Sequence, residues 1–126
     1  MIHHVTLQIA PSHLRDCIAF YAILGFDEVE PPAGIAGRAV WLERHVDAGA
    51  ALPSQQVHLM PEPGASAPPG HFALVCPEYE ATLQALRAAG HEVEPRRQHW
   101  GSPRSYVHDP AGNLVELMER PPGGGG

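Results

Sequence analysis

The feature that most constrains this sequence is an internal repeat of one pattern of predicted elements. In each half, an apolar strand pattern precedes an amphipathic helix pattern that ends at a glycine, Gly25 in the first half and Gly90 in the second. Shorter strand patterns follow each helix. Nearly the same number of residues separates His4 from His71 as separates Gly25 from Gly90. This repetition predicts two copies of one β-α-β-β-β module.

Strand and helix patterns cover most of the chain. In the first module the predicted strands are 2–9, 26–30, 38–43 and 55–60, and the predicted helix runs from the N-cap candidate Ser12 to Gly25. In the second module the predicted strands are 71–76, 92–94, 104–108 and 114–119, and the predicted helix is 77–89. The segment Asp109-Pro110-Ala111-Gly112-Asn113 predicts a tight hairpin turn between the last two strands.

These elements predict an α+β fold with a single domain over residues 1–120. Module one takes residues 1–62, a linker rich in proline and glycine takes 61–70, and module two takes 71–120. Residues 121–126 are interpreted as a flexible tail. Two such modules can pair into a curved mixed sheet or half-barrel around a shared cleft. A cleft of this kind is a natural place for a ligand site.

Composition and charge argue against several classes of function. The chain has 8 Lys plus Arg, 14 Asp plus Glu and no basic run, so no nucleic-acid partner is expected. No apolar segment approaches the roughly 18 residues of a membrane span, and the first residues lack a secretory signal pattern. Two cysteines, Cys17 and Cys76, are too few for a disulfide framework, so the cytoplasm is the expected location.

Histidine is frequent, with nine copies, and some of them fall at matching places in the two modules. The candidate metal ligands are His4 and His58 in the first and last strands of module one, and His71 and Glu116 in the same strands of module two. Imidazole and carboxylate groups suit Zn, Fe, Mn, Ni and Co. The carboxylate of Glu116 needs a partner, because an unpaired buried charge costs several kcal/mol.

Strand alternation predicts which neighbours share a face with these candidates. The predicted inner faces are His4/Thr6/Gln8, Gln56/His58/Met60, His71/Ala73/Val75 and Leu114/Glu116/Met118. For any single strand histidine, the alternative is a surface or hydrogen-bonded role without a metal. His3, His13, His45, His91 and His99 are assigned to that class.

Several strings resemble the vicinal oxygen chelate superfamily, over about Ile2 to Glu119. They are HHVTLQI, IAFYAILGF, GHFALV and DPAGNLVEL. The superfamily includes glyoxalase I, fosfomycin- and bleomycin-resistance proteins, methylmalonyl-CoA epimerase and extradiol dioxygenases. Within them, the patterns FY-x-x-LGF and DP-x-GN-x-x-EL are specific for the superfamily and say little about the substrate.

The resemblance implies that His4, His71 and Glu116 bind a divalent metal, either Zn, Ni, Mn, Co or Fe. His58 stands where glyoxalase I-like members place a further ligand, commonly a glutamate. A histidine there could be a fourth ligand or a base that accepts a substrate proton. The implied enzyme is a lyase, isomerase or epimerase. It acts on a small substrate with vicinal oxygens, and the metal as Lewis acid stabilises an enediolate-like intermediate.

The same resemblance suggests residues that contact the substrate. Arg104 and Tyr106 lie where related proteins place such residues, and Arg104 could hold a carboxylate or phosphonate. Thr6 shares the predicted face of His4 and could donate its hydroxyl. A surface cation is the alternative for Arg104, and a plain inward threonine is the alternative for Thr6. Trp41 could wall the pocket or pack in the core.

Two further functions stay open, together with the assembly. Two histidines and one carboxylate also suit a non-haem Fe(II) dioxygenase. A bleomycin-resistance-like protein that binds its ligand without chemistry is the other alternative. Because the modules leave unpaired sheet edges, and by the resemblance, we expect a homodimer. The site is then either contained in one chain or shared, with His4 and His58 from one protomer and His71 and Glu116 from its partner.

Overall fold

One β-α-β-β-β unit occurs twice in the computed structural model, which describes residues 2–35, 37–45 and 54–123. Module one contains β1 (His4–Ile9), α1 (Leu14–Ile23), β2 (Asp27–Val29), β3 (Val40–Arg44) and β4 (Gln55–Pro61). Module two contains β5 (His71–Val75), α2 (Tyr79–Ala88), β6 (Val93–Arg96), β7 (Arg104–His108) and β8 (Leu114–Met118). The predicted repeat and the α+β class are confirmed. Part of the predicted loop at 45–54 and part of the tail lie outside the described residues.

Each module folds into its own four-stranded mixed sheet. The strand order is β1-β4-β3-β2 in the first sheet and β5-β8-β7-β6 in the second. The first strand of each module pairs in parallel with the last, and the remaining pairs are antiparallel. A parallel pair needs a crossover connection, which begins in each module with the helix that follows the first strand. Among the described residues no strand pairing joins the two sheets.

Alternation along the strands separates an apolar face from a polar one. In β1, Val5 and Leu7 are half-buried and Ile9 is buried, whereas His4 and Thr6 on the other face are exposed. The apolar face joins a core cluster that includes residues of both helices and both sheets. The polar faces of the two sheets are therefore turned away from the helices, and they carry the predicted site residues.

Polar contacts of the buried side chains Tyr21 and Arg44 link the modules within the chain. The Tyr21 hydroxyl on α1 donates to Asp109 Oδ2 over 2.7 Å. The buried Arg44 guanidinium donates to the carbonyl of Val75 over 3.0 Å. Asp109 also organises the predicted hairpin turn, because its Oδ1 accepts the backbone N–H of Ala111. The turn prediction is confirmed, and the turn belongs to the contact between the modules.

The sequence predicts the C-terminal ends of the helices better than their N-terminal ends. Gly25 and Gly90 follow the two helices with φ of +94° and +91°, a conformation that favours glycine. Ser12 is not the N-cap of α1, contrary to the prediction. It lies inside a short 3-10 turn over Pro11–His13, and His13 occupies the cap position without a side-chain hydrogen bond. Proline at the first position favours this tight turn before the helix.

Among the described residues, no helix is both long enough and apolar enough to span a membrane.

Candidate functional site

The predicted metal ligands form two pairs with the same backbone geometry. The pairs are His4 with His58 in module one and His71 with Glu116 in module two. In each pair, the residue on the last strand lies opposite the residue two positions after the histidine. The register partners are His58 with Thr6 and Glu116 with Ala73. Each pair is thus a diagonal neighbour pair on the polar face of its sheet.

In module two the pair forms a direct contact. His71 Nε2 lies 3.1 Å from Glu116 Oε1, and Arg104 Nε donates to Glu116 Oε2 over 3.1 Å. The side chains of Glu116 and Arg104 are both 8% exposed, whereas that of His71 is 37% exposed. Burial would raise the pKa of the Glu116 carboxyl, but the hydrogen bond and charge of Arg104, together with His71, hold it below its usual value. The carboxylate is therefore ionised and partnered on both oxygens.

Arg104 is a buried residue of this cluster rather than a surface cation. Its three guanidinium nitrogens all donate to protein acceptors: Nε to Glu116, one terminal nitrogen to the Arg97 carbonyl over 2.8 Å, and the other to the Tyr106 hydroxyl over 3.2 Å. The hydrogen bond and charge of Glu116, together with Tyr106, raise the pKa of Arg104. Arg104 fixes the orientation of the carboxylate, and its predicted contact with substrate stays a prediction.

In module one the pair is stacked. The rings of His4 and His58 lie 4.1 Å apart with an interplanar angle of 19°, and Trp41 stacks on His58 at 4.1 Å and 4°. Trp41 lies directly opposite His58 in the strand register. His58 is 6% exposed. Burial, with the neighbouring His4 and His3, lowers the pKa of His58 to about 4, so the ring is neutral at pH 7.

The two pairs differ in how well they suit a metal ion. Two ligands about 2.1 Å from one ion and about 90° apart place their donor atoms about 3 Å from each other. The separation between His71 Nε2 and Glu116 Oε1 is 3.1 Å, which fits two adjacent ligands. An imidazole binds in the plane of its ring, so the nearly parallel rings of His4 and His58 cannot both direct a lone pair at one ion in this arrangement.

The pairs are not joined into one cluster. Within the part of the chain that the structure describes, no three His, Cys, Asp or Glu side chains are close enough to hold an ion together. His4 and His71 nevertheless line one cavity of about 380 Å³, together with Phe26 and Phe72. The four predicted ligands therefore lie on the polar faces of the sheets, and within the described ranges they are in direct contact as two pairs, with one histidine of each pair in a shared cavity.

The predicted substrate contacts lie beside these pairs. Tyr106 is the register partner of Glu116, and its ring lies 5.4 Å from that of His71. Thr6 is exposed on β1, opposite His58. Their contact with a substrate stays a prediction. Two further polar residues at the first pair, Gln56 and Glu43, are absent from the sequence-based set, although alternation places Gln56 on the face of His58.

Comparison with known proteins identifies the family. The profile of the Glyoxalase/Bleomycin resistance protein/Dioxygenase superfamily matches residues 1–117. The chain belongs to this superfamily. The resemblance seen in the sequence is therefore confirmed, and so is the glyoxalase-like fold.

Solved structures agree with membership of the glyoxalase superfamily. A protein from Bacillus anthracis, described as a glyoxalase family member, is 27% identical with a TM-score of 0.76, and the match covers 96% of this chain and 95% of that chain. The fosfomycin resistance protein FosX from Listeria monocytogenes is 19% identical with a TM-score of 0.67, covering 97% and 91%. A bleomycin resistance determinant encoded on transposon Tn5 is 20% identical with a TM-score of 0.63, covering 92% and 96%. The last two show the fold alone. Among curated proteins, none matches this chain.

Members of the glyoxalase superfamily typically bind small molecules, are often dimeric and typically use divalent metals. Resistance proteins and glyoxalase family proteins share the scaffold, so the fold does not define a reaction. The function of this member has to be argued from its two side-chain pairs.

Proposed function

We propose that this chain is a metal-dependent enzyme that acts on a small substrate with vicinal oxygens, of the lyase, isomerase or epimerase type. The proposed metal ligands are His4, His71 and Glu116. The observation that carries the proposal is the contact between His71 and Glu116, whose donor atoms are separated as two adjacent ligands would be.

Arg104 supports this assignment of the carboxylate. A ligating carboxylate is usually held by a further hydrogen bond that orients it. Arg104 holds Glu116 Oε2 and leaves Oε1 on the side of His71. A divalent ion bound there would supply Lewis-acid stabilisation of negative charge on two adjacent substrate oxygens. The protein's own contribution is to keep the carboxylate ionised and directed toward that position.

His58 is proposed to act on the substrate proton rather than as a fourth ligand. Its ring is held face to face between Trp41 and His4, so its plane does not converge with that of His4. Because its ring is unprotonated at pH 7, His58 has a nitrogen that can accept a proton from a bound substrate. Thr6 and Tyr106 flank the two pairs and are proposed to contact the substrate.

The third ligand is proposed to come from a second copy of the chain. In a homodimer, His4 of the partner subunit would face His71 and Glu116 of the first. This arrangement is supported by the absence of a three-ligand group among the described residues and by the edge position of β1 and β5 in their sheets. In this proposal the complete metal site forms only in the predicted homodimer.

Elemental analysis of the purified protein, followed by titration of the chelator-treated protein with Zn²⁺, Mn²⁺ and Fe²⁺, tests the proposal. We expect about one ion per chain in the wild type. In Glu116→Gln we expect a loss of affinity of more than about 100-fold, since loss of a ligand exceeds the effect of losing its supporting hydrogen bond. The control is Glu94→Gln, which removes an exposed carboxylate of the same module. Equal uptake by all three proteins, or no uptake by any, overturns the proposal.

Mixed dimers test whether the site is shared. His4→Ala and Glu116→Ala proteins should each fail to bind metal. If the site is shared, the mixed dimer regains one complete site in two, because one protomer keeps His4 and the other keeps Glu116. If each chain holds its own site, mixing restores nothing, and the shared arrangement is wrong.

One observation favours a second candidate, a ligand-binding protein without chemistry. The stacked rings of Trp41, His58 and His4 form an aromatic column on the polar face, which suits a planar ligand. The titration separates the two candidates, since a binding protein of this kind would take up no ion. Iron as the only tight-binding metal would instead favour the dioxygenase alternative.

A further inference from the structure

A chain of hydrogen bonds crosses the polar face of module one and ends on His58. We propose that Glu43 and Gln56 are positioning residues that fix the neutral His58 ring as its Nε2–H tautomer and leave Nδ1 as its only acceptor nitrogen. The tautomer does not depend on the proposed function. Its consequence for proton transfer rests on that function.

This path of hydrogen bonds follows from the strand register. Glu43 on β3 lies directly opposite Gln56 on β4, and Gln56 shares a face with His58 two residues later. Gln56 Nε2 donates to Glu43 Oε2 over 2.8 Å, and Gln56 Oε1 lies 2.7 Å from His58 Nε2. Ser54 also donates its hydroxyl to Glu43 Oε2, over 2.9 Å. The three linked side chains thus form one continuous path from a carboxylate to an imidazole.

The chemistry of the groups gives the path a direction. An ionised carboxylate can only accept hydrogen bonds, so Gln56 must present its amide N–H₂ to Glu43. The carbonyl oxygen of Gln56 then faces His58. Because that oxygen can also only accept, His58 Nε2 must carry the hydrogen. The donors Gln56 and Ser54 also lower the pKa of the Glu43 carboxyl, which keeps it ionised near neutrality.

The equivalent place in module two carries no such path. Leu114 opens the last strand of module two, two residues before Glu116, where module one has Gln56. A leucine has no hydrogen-bonding side chain. Of the two last strands, β4 carries a histidine, whose two nitrogens differ in role, and β8 carries a glutamate; the path is found on the strand with the histidine.

The consequence for the site is a choice of nitrogen. Nε2 of His58 is committed as a donor to Gln56, so it cannot bind an ion or receive a proton without breaking that bond. Any proton taken from a substrate must arrive at Nδ1. In a mixture of tautomers, Nδ1 would be free to accept a proton in only a fraction of the molecules. The hydrogen bonds from Glu43 through Gln56 keep Nδ1 free in all of them.

Long-range ¹H–¹⁵N correlation spectra of the uniformly labelled, metal-free protein at neutral pH report the tautomer directly. His58→Asn assigns the signal by its disappearance. We expect His58 in the wild type to show the Nε2–H pattern alone. In Glu43→Gln the amide of Gln56 is no longer held in one orientation, and we expect an Nδ1–H population to appear. The matched control is Ser54→Ala, which removes another donor to Glu43 and should leave the pattern of the wild type.

Two results overturn the proposal: an Nδ1–H pattern in the wild type, or a pattern in Glu43→Gln that is identical to the wild type. Metal titration of Glu43→Gln separates this inference from the proposed function. If His58 is not a ligand, affinity should match the wild type even when the tautomer changes. A loss of about 10–100-fold would show that His58 binds the ion through Nδ1, with Gln56 as the group that supports it. The tautomer result holds whether or not the protein binds metal.

Discussion

The two modules share a backbone register and use it for different polar chemistry. An aromatic residue lies opposite the key residue of the last strand in both, Trp41 opposite His58 and Tyr106 opposite Glu116. In module one, aromatic rings stack on a neutral His58. In module two, a carboxylate is held between Arg104 and a histidine. The repeat thus determines where side chains stand, and the residue types determine whether a position stacks or pairs charges.

The difference follows from the cost of burial. A neutral imidazole can be covered by two rings at little electrostatic cost, and burial keeps it neutral. A carboxylate in the equivalent place needs a cation and hydrogen bonds, since its charge would otherwise be buried without compensation. Module two supplies both through Arg104, whose guanidinium is itself held by Tyr106 and a backbone carbonyl. Substitutions at equivalent positions should therefore change the stability of the two modules by different amounts.

Removing Arg104 should give the largest effect. Arg104→Leu leaves the buried carboxylate of Glu116 without its cation, and we expect a loss of about 3 kcal/mol in the free energy of unfolding. Urea denaturation of the metal-free protein at pH 7 measures it. The control is Arg96→Leu, which breaks an ion pair with Glu94 on the surface and should cost less than about 1 kcal/mol. Equal costs for the two variants would mean that Glu116 is solvated and that module two has no buried charge pair.

A buried tyrosine on each helix allows a second comparison of the two modules. Tyr21 on α1 donates to the carboxylate of Asp109, whereas Tyr79 on α2 shares a hydrogen bond with the neutral hydroxyl of Ser105. A bond to a charged group contributes more, so Tyr21→Phe should cost about 1.5–3 kcal/mol and Tyr79→Phe about 0.5–1.5 kcal/mol. The same denaturation assay measures both. The reverse order would show that the Asp109 turn holds without Tyr21 and that the contact between modules lies elsewhere.

How much of the structure can be predicted from the sequence depends on how far apart in sequence the interacting residues lie. Gly25, Gly90 and the Asp109 turn are local signals, and all three are confirmed. Ser12 fails as a cap because Pro11 begins a tighter turn, a competition between neighbours that a cap pattern does not weigh. The superfamily follows from the sequence strings that resemble it. The faces on which the candidate ligands lie follow from strand alternation.

The partners of those ligands could not be predicted, because they depend on register. Arg104 reaches Glu116 diagonally from the neighbouring strand, so its role in orienting the carboxylate needs the alignment of β7 with β8. Glu43 meets Gln56 only through the register of β3 with β4. Sequence alternation gives the face of a side chain, and it does not give the residue across the strand.

Replacing the aromatic residue of module one should cost less stability than replacing the aromatic residue of module two. Trp41→Leu keeps an apolar side chain opposite His58 and removes the stacked ring, which is worth about 0.5–1.5 kcal/mol beyond its buried area. The comparison variant, Tyr106→Leu, removes a ring and also an acceptor for Arg104, so it should cost more. Denaturation curves of the two variants measure the difference. If Trp41→Leu is the more damaging, the ring supports the core of module one, and the stack with His58 is a by-product of packing. If the order is as expected, module one tolerates the loss because the buried His58 is neutral and needs no counter-charge, whereas module two depends on every group that holds its guanidinium in place.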